Sequence, residues 1–365
     1  MAEEGLVMNV AMSFLNGLGP IRIGSILSKI EVSDFFNLSI KEIKPLIGLS
    51  ENQFRAIERN RALELAHREI EACEKAKITP LFILDSNYPR RLRQCPDAPI
   101  VLYCKGENIL NQRRTIAIVG SRLSTAYGKE LVASFLQGLT ATNAVIVSGL
   151  ALGIDAHAHS FAMKNKLSTV AVLGSGLNQV FPKRNANLAE QILHERGALI
   201  SEYSLFSKPV RENFPVRNRI IAGLSDATVV VESREQGGGL ITADLANDYN
   251  RDVFAFPGAV HQQQSRGCNT LISKQKAHLI SSASDFMYFM NWSTSLGKSI
   301  QMSLQFTLNP EEQAVLDLLD QHESLYVDEL VVLTNEATST LQIILLGLEL
   351  KGLIQKIEGG KIRIN

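Results

Sequence analysis

The stretch Ala144–His159, AVIVSGLALGIDAHAH, constrains the fold more than any other. It opens on an apolar, β-branched run (Val145, Ile146, Val147), the pattern of a buried parallel strand. It breaks at Ser148-Gly149 and Gly153 and continues in Ala-rich, helix-favouring sequence from Asp155. A strand that passes through small residues into a helix leaves backbone N–H groups at the helix start. With the helix dipole behind them, these groups suit a phosphate. Four other segments share this grammar, so the stretch is expected to form one wall of a polyphosphate-binding cleft.

The alternation runs from Thr79 to about residue 290. Expected strands are Thr115–Val119, Val145–Val147, Thr169–Leu173, Ala198–Ser201, Thr228–Val231 and Val253–Phe256, with helical spacing at Gly128–Thr140 and Leu188–Arg196. The implied fold class is α/β, a Rossmann-like parallel sheet with helices on both faces, whose ligands sit beyond the carboxyl ends of the strands. Small residues cluster at those ends: Gly120-Ser121-Arg122, Ser148-Gly149, Gly174-Ser175-Gly176, Glu232-Ser233 with Gly237-Gly238-Gly239, and Pro257-Gly258. The dinucleotide fingerprint G-x-G-x-x-G does not follow the first strand, and Gly174-Ser-Gly176 is only a fragment of it. No nicotinamide, flavin or other cofactor is expected.

A chain of 365 residues is too long for one ordinary core. Lys+Arg and Asp+Glu both total 37, so any polyanion site must be a local patch. Cys73, Cys95, Cys104 and Cys268 show no CxxC pair or metal-ligand spacing and read as reduced thiols of a cytoplasmic protein. Glu3 and Glu4 stand where a signal peptide would be basic, and no apolar run reaches membrane-spanning length.

Residues 1–78 read as a helical, helix-hairpin-helix-like domain with turns at Leu15–Pro20 and Ile47–Ser50, where Ser50 suits an N-cap. Its turn amides could hold a DNA phosphate, or its glycines could serve only the turn, since only Arg22 and Lys29 lie nearby. Residues 291–304 read as a linker. Residues 305–365 read as a winged helix: helices at about 310–320, 327–333 and 337–351, then a hairpin turning at Gly359-Gly360. Asn309-Pro310-Glu311-Glu312 supplies the N-cap, the Pro and the acids of a first turn. The second helix of the helix-turn-helix has no Lys or Arg before Lys351, which suits protein contact or a structural role better than duplex reading.

Many motifs occur in one order: VGSR at 119–122, SGLALGIDAHAH at 148–159, TVAVLGSGL at 169–177, FPKRN at 181–185 and GALISE at 197–202. FPVRNRIIAGLSDATVVVES at 214–233, GGGLITA at 237–243, VFAFPG at 253–258 and SRGCNTLI at 265–272 follow. Together they resemble the DNA-processing protein A family (DprA, also called Smf) over about 80–285. NYPRRL at 87–92 and the flanking domains extend the resemblance over nearly the whole chain. The resemblance implies a non-enzymatic protein that binds single-stranded DNA and loads the recombinase RecA, a homodimer formed through the central domain, and a role in natural transformation. Two places depart from the commonest pattern. Gly237-Gly238-Gly239 replaces a Ser-Gly-Ser type sequence, which keeps backbone access but removes hydroxyls. Gln275-Lys276 stands where Gly-Ala is frequent, outside the expected cleft.

The candidate DNA-binding set is Gly120, Ser121, Arg122, Gly149, Lys183, Arg184, Asn185, Phe214, Arg217, Asn218, Arg219, Gly238 and Thr242. Arg122 follows a strand and a Gly-Ser turn, so it can cover a phosphate held by turn amides, and it matches the family's G-S/T-R motif. Lys183 looks like the family's DNA-contacting lysine. Arg217 and Arg219 precede a helical run from Ile220 and alternate, so one is expected to face the cleft and the other to pair internally; which is left open. With Lys208 and Arg211 these cations form a local basic excess. Tyr127, Phe181 and Phe214 are candidate base-stacking rings. Asp155, His157 and His159 suggest a metal site only at first sight, because helix positions two apart diverge by about 200°; no metal is expected. An alternative reading is a phosphoribohydrolase-like nucleotide enzyme using the same cleft. Its PGGxGTxxE glutamate is missing, since Leu240-Ile241-Thr242-Ala243-Asp244 follows Gly239.

Overall fold

The computed structural model describes residues 2–47, 51–292, 308–322, 324–334, 336–351, 353–356 and 361–364. The expected Ser50 cap, the 291–304 linker beyond Trp292 and the Gly359-Gly360 turn lie outside them. The chain forms two compact units, 1–293 and 294–365.

Twelve strands organise the described residues: β1 Ile78–Phe82, β2 Val101–Gly106, β3 Thr115–Val119, β4 Val145–Ser148, β5 Thr169–Val172, β6 Ala198–Ser201, β7 Ala227–Val230, β8 Asp252–Ala255, β9 His278–Leu279, β10 Leu325–Tyr326, β11 Ile354–Lys356 and β12 Lys361–Ile364. The first nine make one sheet in the order β1-β2-β6-β5-β4-β3-β7-β8-β9. From β6 to β9 all pairs are parallel, whereas β2 joins β6, and β1 joins β2, antiparallel. Pro80 sits in edge strand β1, where a missing N–H costs no ladder bond on the open side.

Period-two alternation divides the strand side chains between two helix layers. Ile116 and Ile118 pack with the helices Ala126–Gly138, Ile154–Lys164 and Ala283–Phe289, while Ala117 and Val119 pack with Asn213–Leu224 and Gly238–Asp248. The fold is thus the expected Rossmann-like sheet, extended by the two antiparallel strands. The N-terminal helices, from Ala2–Ala11 to Arg59–Lys75, share a core with Phe82, Tyr103, Leu177 and Leu205 and belong to the same compact unit as the sheet.

The second unit holds the helices Pro310–Gln321, Val327–Thr334 and Thr338–Leu350 and the sheet β10-β12-β11, the arrangement of a winged helix. Asn309 and Glu312 form a reciprocal capping box at its first helix, with Pro310 in the first turn. No single helix among the described residues is long and apolar enough to cross a membrane.

Candidate nucleic-acid interface

From β3 the chain builds outward through β4, β5 and β6, then returns to place β7 on the other side of β3. That reversal opens a crevice at the carboxyl ends of β3 and β7, where ligands of such sheets sit. A cleft of about 290 Å³ occupies it, lined by Gly120, Ser121, Arg122 and Leu123 after β3, by Ser233, Arg234 and Gly237–Gly239 after β7, and by Asp155, Arg217, Asn218 and Thr242. Close backbone approach makes it. A Cβ on Gly120 would stand 2.8 Å from the Glu232 carbonyl oxygen, and one on Gly239 would meet the Gly120 Cα at 3.4 Å.

Arg122 is exposed, and its guanidinium lies 5.9 Å from the centroid of the Phe214 ring. Phe214 in turn lies 5.5 Å from Phe181. Lys183 and Arg184 follow Phe181 in an exposed turn. Arg122, Phe214 and Phe181 therefore form a chain of contacts that starts at the cleft. Gly238 lines the cleft and opens the Gly238–Asp248 helix, whose Leu240 N already donates to Gly237 O at 3.1 Å.

The Ala144–His159 wall differs from expectation. Its loop amides do not await a phosphate: the buried Asp155 carboxylate accepts from Gly149 N at 3.1 Å and Ala151 N at 3.3 Å, and Ile154 N donates to Ser121 O. The helix start has an internal anion. Burial pushes the Asp155 carboxyl up, opposed by the Arg217 charge and these amides. Burial likewise pulls Arg217 down to about 10 while Asp155 holds it up.

Arg217 is the member of its pair that lines the cleft, yet it is 4% exposed and donates to Gly149 O and Val172 O. A Cβ on Gly149 would fall 2.6 Å from its guanidinium, so this glycine makes room for the arginine. Arg219 does not reach the cleft: it is buried against Glu202, with Asp97 at 3.8 Å. Both arginines, and Phe214, lie inside the Asn213–Leu224 helix rather than before it. Pro215 fits there because first-turn N–H groups have no helical partner.

Asn185 also points inward, donating to Leu150 O at 2.8 Å and Ala151 O at 3.1 Å. These carbonyls need a donor because Leu150, at φ +55°, turns the loop away from regular pairing. Thr242 is buried and its hydroxyl donates to Gly238 O. Tyr127 is tied to Pro257 O at 2.7 Å and is not part of the cleft lining. His157 meets Ser124 at 3.1 Å and His159 meets Thr169 at 2.7 Å, so the three candidate ligands face different partners. Arg234 and Leu123 line the cleft unanticipated; their signal was position, directly after the ends of β7 and β3.

A family model described as DNA recombination-mediator protein A matches residues 79–291, more than half of the chain, and one described as the DprA winged helix domain matches 303–360. Protein Smf of Synechocystis sp. is 46% identical over 52% of this chain, a match spanning about half (48%) of that protein. The X-ray structure of DNA processing protein A from Streptococcus pneumoniae superposes with a TM-score of 0.63 at 33% identity, covering 78% of this chain and 97% of that one. DNA processing protein A from Helicobacter pylori, a structure described for its single-stranded DNA binding mode, gives 0.54 at 28% identity, covering 59% and 96%. With its central domain and its winged helix both matched, this chain belongs to the DNA recombination-mediator protein A (DprA/Smf) family.

Proposed function

We propose that the protein binds single-stranded DNA along the β3–β7 cleft and passes it to the recombinase RecA, as a mediator acting in the cytoplasm as a homodimer. Its sequence supports three parts in this role: a helical 1–78, a DNA-binding 79–290 and a winged-helix 305–365 joined by 291–304. The observation that carries the reading is the contact chain of exposed Arg122, half-buried Phe214 and exposed Phe181, with exposed Lys183 and Arg184 following Phe181. An aromatic ring stacks with any base, and neighbouring cations hold its phosphates, so these side chains suit a strand without sequence preference. Chemistry on a nucleotide fits less well. The one acidic residue lining the cleft, Asp155, is committed to two amides beside Arg217.

Within the candidate set, Arg122, Lys183, Arg184, Phe214 and the Gly238 helix start are assigned to direct contact. Gly120, Gly149, Asn185, Arg217 and Thr242 shape the cleft from within. Fluorescence anisotropy with oligo-dT against salt tests the assignment. Arg122→Ala and Lys183→Ala should each lower the slope of log K by about 0.7, and equally for oligo-dC. An unchanged slope in the double variant, with wild-type circular dichroism, places the strand elsewhere.

A further inference from the structure

A second groove lies apart from the cleft, between the Arg59–Lys75 helix and the loop that follows β6. Its volume is about 370 Å³, and its lining includes Arg68, Glu71, Lys75, Asn178, Leu205 and Phe206. Adjacent residues of the loop have opposite fates. Leu205 is 3% exposed, while Phe206 is 66% exposed.

The loop is pinned, so Phe206 is presented rather than left loose. Leu205 N donates to the buried Glu69 carboxylate of the helix, and Leu205 O accepts from Asn178 N at 3.2 Å. Ser207 O accepts from Gly176 N at 2.9 Å, and the Ser204 and Ser207 hydroxyls meet at 2.8 Å. An outward phenyl ring on a fixed loop keeps its contact area at little entropic cost.

The charges facing this ring are Arg68, Glu71 and Lys75, spaced so that successive members share one helix face. All three are exposed, and together they leave one net positive charge. The groove also lies beside the contact chain that starts at the cleft. Asn178 and Phe181 are three residues apart, so their Cα atoms lie within about 11 Å. Exposed Lys208 and Arg211 lie along the loop towards Phe214, with exposed Glu212 offsetting one of the two charges. Aromatic and basic side chains in succession form a track that single strands follow.

We propose that this groove is a second nucleotide subsite, in which a base stacks on Phe206 while its phosphates lie against Arg68 and Lys75. The proposal rests on the reading that the cleft binds single-stranded DNA. It makes the N-terminal helices part of the DNA path, and it makes affinity depend on strand length.

The test measures full-length protein by anisotropy against a short oligo-dT that fills only the cleft and a long one that reaches the groove. Phe206→Ala should weaken the long oligonucleotide by about fivefold or more and leave the short one unchanged. Lys75→Glu should lower the salt slope for the long strand alone, and Glu71→Gln should tighten it. Phe206 is exposed, so its truncation opens no core cavity, and circular dichroism checks that the variants fold. Equal affinities of every variant for the long strand overturn the proposal, as does an equal loss for both lengths. Binding of neither oligonucleotide by the wild type, or indifference of both to Arg122→Ala, instead defeats the cleft reading itself.

Discussion

Arg217 shows how a motif residue can matter without touching a ligand. Its guanidinium joins the ends of β4 and β5 through Gly149 O and Val172 O and balances Asp155. Removing it would strand a buried carboxylate and two carbonyls, a loss of about 3–5 kcal/mol. Urea denaturation should therefore show Arg217→Ala strongly destabilised and Arg122→Ala near wild type, although both arginines line one cleft. His159 makes its own contribution to the pH dependence of stability. Thr169 Oγ1 donates to Ile146 O, so it accepts from the ring's Nδ1–H, which leaves Nε2 buried without a hydrogen-bond partner among the described residues. A proton there would have no acceptor, and burial holds the imidazole at about 3. Between its ordinary value near 6.5 and that value the unfolded chain binds a proton that the folded one refuses. The stability conferred by the neutral ring is complete above about pH 6.5 and drains away as pH falls towards 3. Asp155 and Glu202, raised by burial, act in the opposite sense. The histidine is therefore read from a difference: in thermal melts His159→Gln should lose less stability than wild type between pH 6.5 and 4.

At the scale of elements, period and small-residue punctuation carried most of the fold. β3 and β6 match their sequence-derived bounds, β4 and β5 differ by one residue at the carboxyl end, and β7 and β8 each start and end one residue earlier than expected. The misses have physical causes. β1 contains Pro80, which argues against a strand unless that strand lies on an edge, and edge position is a tertiary fact. β9 has two residues, too few for any period. The pattern starts a helical run only at Ile220, yet the helix spans Asn213–Leu224, and Pro215, three residues into it, breaks nothing. The placement of candidate side chains was legible where one follows a strand end outward, as the exposed Arg122 does after β3. It was illegible where polar groups turn inward to satisfy backbone, as Asn185, Arg219 and Thr242 do. Residue type gives donors and charges; only packing says whether protein or solvent receives them.

Across the whole molecule, neutrality conceals a division. Residues 305–365 carry ten carboxylates against four Lys and Arg, a net charge of −6, so residues 1–304 carry +6. The helix that would enter a DNA groove presents Ser339, Gln342, Ile343, Leu346 and Glu349, with Ile343 72% exposed. Such a face offers a phosphate no cation. Deletion of 305–365 should leave single-strand affinity intact or raise it at low salt; a tenfold loss, with the remainder folded, would assign this unit to DNA binding. The carboxylate of Asp155 on the Gly149 and Ala151 amides bears on selectivity at this same scale. Surroundings rich in ATP and orthophosphate would keep an open anion cradle filled with monomers, which the strand would first have to displace. A counter-ion tethered to the chain cannot be exchanged for a metabolite. On the proposed reading the strand is left with separate contacts along its length, and only a polymer can hold several at once.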